Sequence, residues 1–97
     1  MAVVIVDGEN VRRSLWPNMP RDELMERSRA WADRHGHRVE VVWEGLGTAD
    51  DEIARLAAEL GSEVWVVTSD RGLRERVAGH AAQVIGGGSF ARELRAD

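Results

Sequence analysis

Four consecutive β-branched apolar residues at positions 3–6 (Val-Val-Ile-Val) restrict the fold of this chain more than any other feature. Because polar and apolar residues do not alternate there, the run predicts a central parallel strand over Ala2–Val6, buried on both faces. Asp7 follows at once and so lies at the carboxyl end of that strand, where parallel α/β sheets open their functional crevice. Gly8 then allows a sharp turn, and the short polar Asn10 either caps the next segment or orients Asp7.

Apolar stripes at strand and helix spacing, separated by glycine and proline, alternate along the rest of the chain. They predict further strands over Arg38–Glu44, Glu63–Thr68 and Ala82–Ile85. They also predict a short helical turn over Val11–Trp16 and helices over Arg21–Arg34, from a Thr48 cap to Gly61, over Arg71–Ala78, and over Phe90–Arg95 with Ser89 as cap. The alternation predicts one α/β domain over residues 1–97, with three α/β/α layers and a four-stranded parallel sheet of order 2-1-3-4.

The basic residues are unusual, because all thirteen are arginine and the chain has no lysine. This excludes P-loop nucleotide binding, Schiff-base chemistry, phospho-aspartate receivers and haloacid-dehalogenase-type phosphatases, each of which depends on a lysine. The net charge of −4 opposes nucleic-acid binding, which depends on positive potential. Two bound divalent cations would bring that charge to zero, which removes the objection.

The chain also has no cysteine, which excludes disulfides and thiolate metal sites. No apolar run approaches the roughly 20 residues of a membrane span, and the N-terminus lacks the features of a signal peptide. We therefore expect a cytoplasmic protein that does not associate with membranes and that is a monomer or a weak homo-oligomer.

Aspartates follow two strands that the predicted order makes neighbours. Asp7 and Asp70 lie at the carboxyl ends of the first and third strands, and Asp50 lies at the start of a nearby helix. Three carboxylates crowded together repel one another, and a hard cation such as Mg²⁺ or Mn²⁺ relieves that repulsion. Taken singly, Asp70 is equally explained as a helix cap and Asp7 as a turn former.

The adjacent acids at positions 50 and 51 differ in their expected direction. With Ile53 taken as the inward direction of the helix, Asp50 lies about 60° away from it and Asp51 about 160° away. We therefore expect Asp50 to lean toward the sheet. Asp51 should point outward, with Arg55 one turn later as its partner.

Three sequence blocks resemble the signatures of NYN domains, in the PIN-like nuclease superfamily. They are Val-Asp-Gly-Glu-Asn at 6–10, Thr-Ala-Asp-Asp-Glu-Ile at 48–53 and Val-Thr-Ser-Asp-Arg at 67–71. Trp-Pro at 16–17 and Gly-Ser-Phe-Ala-Arg-Glu-Leu at 88–94 are similar to the YacP-like bacterial ribonucleases of that superfamily. The resemblance implies a PIN-like (Rossmann-like) fold and a divalent-metal-dependent ribonuclease. It also implies a metal-binding catalytic site made of Asp7, Asp50, Asp51 and Asp70, with Asn10 as a supporting amide.

Two features depart from the pattern of that family. Glu9 occupies a position that is commonly aromatic or small, and there it is either an additional metal ligand or a source of repulsion toward phosphate. Only Gly45-Leu46-Gly47 stands where the family usually has a longer segment before the second block. This shortening concerns the surface that grips the substrate more than the metal site.

Several residues near the predicted crevice are candidates for contact with nucleic acid. They are Arg12, Arg13, Arg71 and Arg74 as phosphate contacts, Ser69 in the third block, and Trp16 as a base-stacking residue. The arginines are equally explained as solvated helix faces, and Trp16 as a packed side chain. We expect Trp31, Trp43 and Trp65 in the core, and His35, His37 and His80 on the surface.

These observations together predict a metal-dependent ribonuclease (or endoribonuclease) that hydrolyses single-stranded RNA with metal-activated water, and the sequence does not distinguish endonucleolytic from exonucleolytic cleavage. The first alternative is a nucleic-acid-binding domain of the same fold without catalytic activity. The second is a small protein-interaction domain in which the acids serve only as helix caps. Fold alone does not distinguish among the three.

Overall fold

The computed structural model of the protein describes residues 1–45 and 47–96. In these ranges the chain runs β1 (Val3–Asp7), α1 (Gly8–Arg12), α2 (Arg21–His35), β2 (Arg38–Val42), α3 (Ala49–Leu60), a 3-10 helix (Gly61–Glu63), β3 (Val64–Val67), α4 (Arg71–Val77), β4 (Gln83–Ile85) and α5 (Gly87–Ala96). Leu46 of the predicted loop and Asp97 of the predicted domain lie outside the described residues.

The strands form one parallel sheet in the order β2-β1-β3-β4, which confirms the predicted fold class. Val6 of β1 pairs with Val41 on one side and with Val67 on the other, so β1 is a central strand. Asp7 still pairs in register with Val42. The carboxyl ends of β1, β2 and β3 therefore open side by side, at one edge of the sheet.

Alternate side chains of β1 enter two different cores. Val4 and Val6 pack with buried residues of α1, α2 and α5, whereas Ile5 packs with buried residues of α3 and α4. All three are 0% exposed. Burial of each such side chain contributes about 1.5–3 kcal/mol, so helices on both faces hold the central strand rigidly beneath the crevice.

Several boundaries differ from the predicted ones, chiefly where polar residues begin. β1 includes Asp7, and α1 spans Gly8–Arg12 rather than Val11–Trp16. β2 stops at Val42, which leaves Trp43 and Glu44 in the following loop. Helix α5 begins at Gly87, so Ser89 lies inside it and is not its cap. Leu60, predicted to lie on the buried stripe of α3, is 43% exposed because α3 ends there.

Gly8 is required by a close approach of side chain to backbone. A Cβ atom on Gly8 would lie 2.5 Å from the Trp43 ring, which no real contact allows. Gly36 serves a different purpose: its backbone is in the left-handed conformation, at φ 71°, and it ends α2 as predicted. Trp43 thus packs on the first turn after β1, half-buried and beyond the end of β2.

One histidine differs from its predicted surface position. The Ala2 backbone N–H donates to Nδ1 of His37 at 3.0 Å, and the His37 ring lies 4.5 Å from that of Trp65. His37 is therefore packed, whereas His35 and His80 are exposed as predicted. Trp31 is 3% exposed, which confirms it as a core residue.

In the described ranges, no helix combines the length and the apolar character needed to cross a lipid bilayer.

Candidate active site

The carboxyl ends of β1, β2 and β3 open into a cleft of about 590 Å³. Residues from five segments of the chain line it: Asp7, Glu9, Asn10, Arg13, Ser14, Glu44, Asp50, Ser69, Asp70 and Gly88. The structure thus brings together six of the residues assigned from the sequence, namely Asp7, Asn10, Arg13, Asp50, Ser69 and Asp70.

Asp7 is the buried acid at the base of this cleft, with 5% of its surface exposed. The Thr68 hydroxyl donates to its Oδ2 at 2.9 Å. Burial raises the pKa of Asp7, the hydrogen bond from Thr68 opposes that rise, and the charges of Asp50, Asp70 and Glu44 add to it. A buried carboxylate held among three other acids is costly in the ionised form and attracts a cation.

Asp70 belongs both to the cleft and to a helix terminus. Its Oδ1 accepts from the Leu73 N–H at 2.9 Å, so it is the N-cap of α4. Its own N–H donates to the Thr68 hydroxyl at 3.1 Å, the same hydroxyl that donates to Asp7. Asp70 therefore caps α4 and lines the cleft at the same time. Thr68 fixes the positions of Asp7 and Asp70 relative to each other.

Asp50 and Asp51 point in different directions, as the helical geometry predicted. Asp50 lines the cleft, and burial first, then the charges of Asp70 and Glu44, raise its pKa. Asp51 does not line the cleft, and its side chain is 71% exposed. The family resemblance implies that Asp51 is a metal ligand, and this role therefore stays a prediction.

The partner predicted for Asp51 is wrong. Arg76 of α4 donates to Asp51 at 3.0 Å, and this hydrogen bond lowers the pKa of Asp51. Arg55 pairs instead with Glu52 at 2.5 Å and with Glu59 at 2.7 Å on its own helix. Arg55 lies three residues after Glu52 and four before Glu59, so it bridges both one-turn neighbours. Thr48 is the N-cap as predicted and accepts from the Asp51 N–H at 3.2 Å.

Asn10 connects three elements around the cleft. Its Oδ1 accepts from the Ser69 N–H at 2.8 Å, and the Ser69 hydroxyl accepts from the Gly87 N–H at 2.8 Å. A Cβ atom on Gly87 would lie 2.5 Å from Asn10 Oδ1 and 2.9 Å from the Ser14 hydroxyl. These hydrogen bonds thus hold together the turn after β1, the end of β3 and the start of α5. Only glycine at position 87 permits this arrangement.

Glu9 lies among arginines. Its carboxylate is within 2.7 Å of Arg21, 3.3 Å of Arg13 and 3.6 Å of Arg12. The guanidinium of Arg21 also lies 5.3 Å from the centre of the Trp43 ring. Glu9 also lines the cleft, so both alternatives for it, an additional metal ligand or a source of repulsion, stay predictions.

The other assigned residues lie outside the cleft. Trp16 is 87% exposed and is not packed, and Arg12 is half-buried against Glu9. Arg71 and Arg74 line a second pocket, which shares Ser69 with the cleft. The assigned nucleic-acid contacts therefore occupy several surfaces around the acids.

Glu44 and Thr68 are functional candidates that the sequence prediction missed. Glu44 lines the cleft and raises the pKa values of both Asp7 and Asp50. An acid directly after a parallel strand is the pattern that identified Asp7, and Glu44 fits the same pattern. It was missed because the predicted second strand included Glu44. Thr68 carried no comparable signal, since threonine at a strand end is common.

The acids do not form a ready-made metal site. Within residues 1–45 and 47–96, no three or more His, Cys, Asp or Glu side chains lie close enough together to hold a metal ion as they stand. The charges of Asp70 and Glu44 nevertheless contribute to the raised pKa values of Asp7 and Asp50.

Known proteins share the sequence pattern and the fold of this chain. The chain matches the family model of the YacP-like NYN domain over residues 22–97. A crystal structure of Rae1 (YacP) from Bacillus subtilis is similar to it, with a TM-score of 0.83, 24% sequence identity, and coverage of 99% of this chain and 76% of that one. No curated protein matches the sequence.

The family match begins after Asn10, so Asp7 and Asn10 are placed by the structure and not by that match. It includes Asp50, Asp70 and the shortened segment before α3. The structural similarity covers nearly the whole chain and confirms the fold of β1 and its neighbours. The chain belongs to the family of YacP-like NYN domains.

Proposed function

We propose that the protein is a divalent-metal-dependent ribonuclease that hydrolyses single-stranded RNA in the cleft around Asp7, Asp50 and Asp70. The observation that carries the proposal is that these three carboxylates line one cleft, where burial first and then the neighbouring charges raise the pKa values of Asp7 and Asp50. Perturbed acids in a cleft at the carboxyl ends of parallel strands are typical of catalytic sites. Membership of a nuclease-like family adds support.

The donor set of the cleft suits a hard cation. Its side chains offer carboxylate, amide and hydroxyl oxygens, with no histidine among them, which favours Mg²⁺ or Mn²⁺ over Zn²⁺. Asp7, Asp50 and Asp70, which line this cleft together, would hold the metal. Such a metal supplies an activated water and neutralises charge on the phosphate.

Residues of the chain have separate tasks in this proposal. Thr68 holds one oxygen of the Asp7 carboxylate and so fixes its orientation. Asn10 anchors the Ser69 loop and keeps the wall of the cleft in place. The guanidinium of Arg13, 67% exposed at the cleft, contacts a phosphate oxygen of the substrate.

A single strand suits the cleft better than a duplex. Asp7 is 5% exposed, so the scissile phosphate has to enter the cleft to approach it. A flexible single strand can bend its backbone into such a space, whereas an A-form duplex is stiff and recognised mainly by its outer shape.

The alternative is a domain that binds nucleic acid without cleaving it. The observation that favours this alternative is that the described residues hold no ready-made group of three metal-binding side chains. It predicts RNA binding with a salt dependence set by the arginines and no change in RNA length under any metal.

A cleavage assay distinguishes the two. Labelled single-stranded RNA incubated with the protein and Mn²⁺ should be shortened, and EDTA should stop the reaction. Asp7→Asn should reduce the rate at least about 100-fold, because one acid of the metal site is lost. Asp33→Asn is the matched control, since Asp33 is exposed on α2 and does not line the cleft, and it should cleave like the unsubstituted protein. RNA that is bound but stays intact under both Mg²⁺ and Mn²⁺ would favour the binding domain instead.

A further inference from the structure

A second pocket, of about 480 Å³, lies beside the acidic cleft. Its lining residues are Ser69, Arg71, Arg74, Glu75, Ala78 and Val84, which come from α4 and its C-cap residue, from β4 and from the loop before α4. Ser69 lines both spaces. The second pocket and the cleft therefore adjoin at Ser69.

Two guanidinium groups in this pocket keep their charge available. In the described part of the chain, neither Arg71 nor Arg74 forms an ion pair with a carboxylate. Arg12, Arg13 and Arg21, by comparison, share the single negative charge of Glu9, which offsets only part of their positive charge. Arg74 is directed toward the pocket wall by a hydrogen bond from its Nη1 to the Thr68 carbonyl oxygen, at 3.4 Å.

The remaining lining of the pocket is of a different kind. Ala78 and half-buried Val84 give it an apolar part, and Glu75 gives it one carboxylate. Glu75 lies four residues after Arg71 on α4 without forming an ion pair with it. Cations, an apolar surface and one hydrogen-bond acceptor therefore occur together in a space of this size.

We propose that this second pocket binds one nucleotide of the RNA strand, next to the phosphate held in the acidic cleft. Arg71 and Arg74 bind its phosphate, and their planar guanidinium groups together with Ala78 and Val84 provide a surface for its base. The inference rests on the proposed function for the identity of the strand. The binding of a nucleotide to the pocket can nevertheless be measured without any cleavage.

Glu75 makes the pocket selective among bases. A carboxylate only accepts hydrogen bonds, so it pairs with an exocyclic amino group such as N4 of cytosine. Uracil carries a carbonyl oxygen at that position, which would face the carboxylate without a proton between them, and its one donor on this edge, N3–H, lies one ring atom away. The pocket should therefore favour cytosine over uracil.

Isothermal titration calorimetry with CMP and UMP in EDTA tests the proposal, because the two nucleotides differ only at position 4 of the base and in the proton on N3. We expect CMP to bind and UMP to bind about fivefold more weakly, as loss of one good base contact implies. Arg71→Ala should weaken CMP binding about tenfold, since a charge-assisted hydrogen bond is lost. Glu75→Gln should bring the two affinities together, because an amide offers both a donor and an acceptor.

Arg29→Ala is the matched control, because it removes the same charge from an exposed position on α2 that lines neither pocket. It should leave CMP affinity unchanged. Absence of CMP binding at millimolar concentration, or binding that Arg71→Ala does not weaken, would overturn the nucleotide site. Equal affinities for CMP and UMP would overturn the role of Glu75. Calorimetry in EDTA measures nucleotide binding without metal, so its result is independent of the cleavage assay. Nucleotide binding together with intact RNA in the cleavage assay would disprove the proposed function and leave the pocket standing. RNA cleavage without nucleotide binding would disprove the pocket and leave the proposed function standing.

Discussion

Thr68 is the residue that relates the two strand-end acids, and it shows what a single hydroxyl contributes at this site. It donates to Asp7 and accepts from the backbone N–H of Asp70, so both acids are oriented from one atom. Its hydrogen bond lowers the pKa of Asp7 but does not overcome burial, which raises it. The buried carboxylate therefore remains a source of instability in the free protein.

The pH dependence of stability follows from the raised pKa of Asp7. Between its unfolded value near 3.8 and its higher folded value, the native state binds more protons than the unfolded chain. The contribution of Asp7 to the free energy of unfolding therefore falls as pH rises from the unfolded pKa to the folded pKa. It reaches its lowest value above the folded pKa. Without metal at pH 7, Asp7→Asn should unfold at a higher temperature than the unsubstituted protein, and the difference should vanish below pH 3.8. A less stable Asp7→Asn variant at pH 7 would contradict this account.

Asp50 and Asp51 provide a second comparison between single residues. Asp50→Asn should abolish metal-dependent cleavage and slightly raise thermal stability, because burial and like charges disfavour its ionised form. Asp51→Asn should lower thermal stability slightly through its weakened pairing with Arg76 and leave most activity. Differential scanning fluorimetry and the cleavage assay measure both effects. Equal loss of activity in the two variants would place Asp51 at the metal after all.

At the scale of elements, hydrophobic pattern predicted the strands, the long helices and their order, because each buries a continuous apolar stripe. Boundaries were less accurate, since they depend on contacts from distant segments. The Trp43 ring against Gly8 and the pairing of Arg76 with Asp51 both join separate elements, and no local pattern encodes them. For the same reason Glu44 was placed inside β2 and not at the cleft.

The contact of α5 with the turn after β1 gives a prediction at this scale. Gly87→Ala should destabilise the protein by about 1–3 kcal/mol, because the new methyl group overlaps Asn10 Oδ1. It should also reduce cleavage, since Asn10 can no longer hold Ser69. Gly88→Ala is the control, as its Cβ meets only the flexible Arg92 side chain at 3.7 Å. Chemical denaturation compares them, and equal stability of the two variants would show that this packing is unimportant.

For the whole molecule, the distribution of charge matters more than the total of −4. Acids collect in the cleft, while three arginines surround Glu9 and Arg71 and Arg74 line the pocket that shares Ser69 with the cleft. This distribution offers a phosphate backbone cations close to the acids. It also concentrates repulsion at one place, which a bound cation would relieve.

Metal binding should therefore stabilise the native protein as a whole. At a free Mn²⁺ concentration ten times its dissociation constant, the gain should be about 1.4 kcal/mol. For a chain of this length, that corresponds to a rise in melting temperature of several degrees, at roughly 4–8 °C per kcal/mol. Asp7→Asn should show a much smaller rise, and Asp33→Asn the full one. Equal melting temperatures with and without millimolar metal would favour the alternative in which the acids bind no cation.

The most direct test of the proposed chemistry is the identity of the RNA ends after cleavage in Mn²⁺. Water activated by metal at these acids attacks the phosphorus, so the products should carry a 3′-hydroxyl and a 5′-phosphate. A 2′-deoxy substitution at the cleaved nucleotide should leave hydrolysis intact, because the 2′-hydroxyl is not the nucleophile. A 2′,3′-cyclic phosphate, or loss of cleavage on 2′-deoxy substitution, would contradict metal-dependent hydrolysis by Asp7, Asp50 and Asp70.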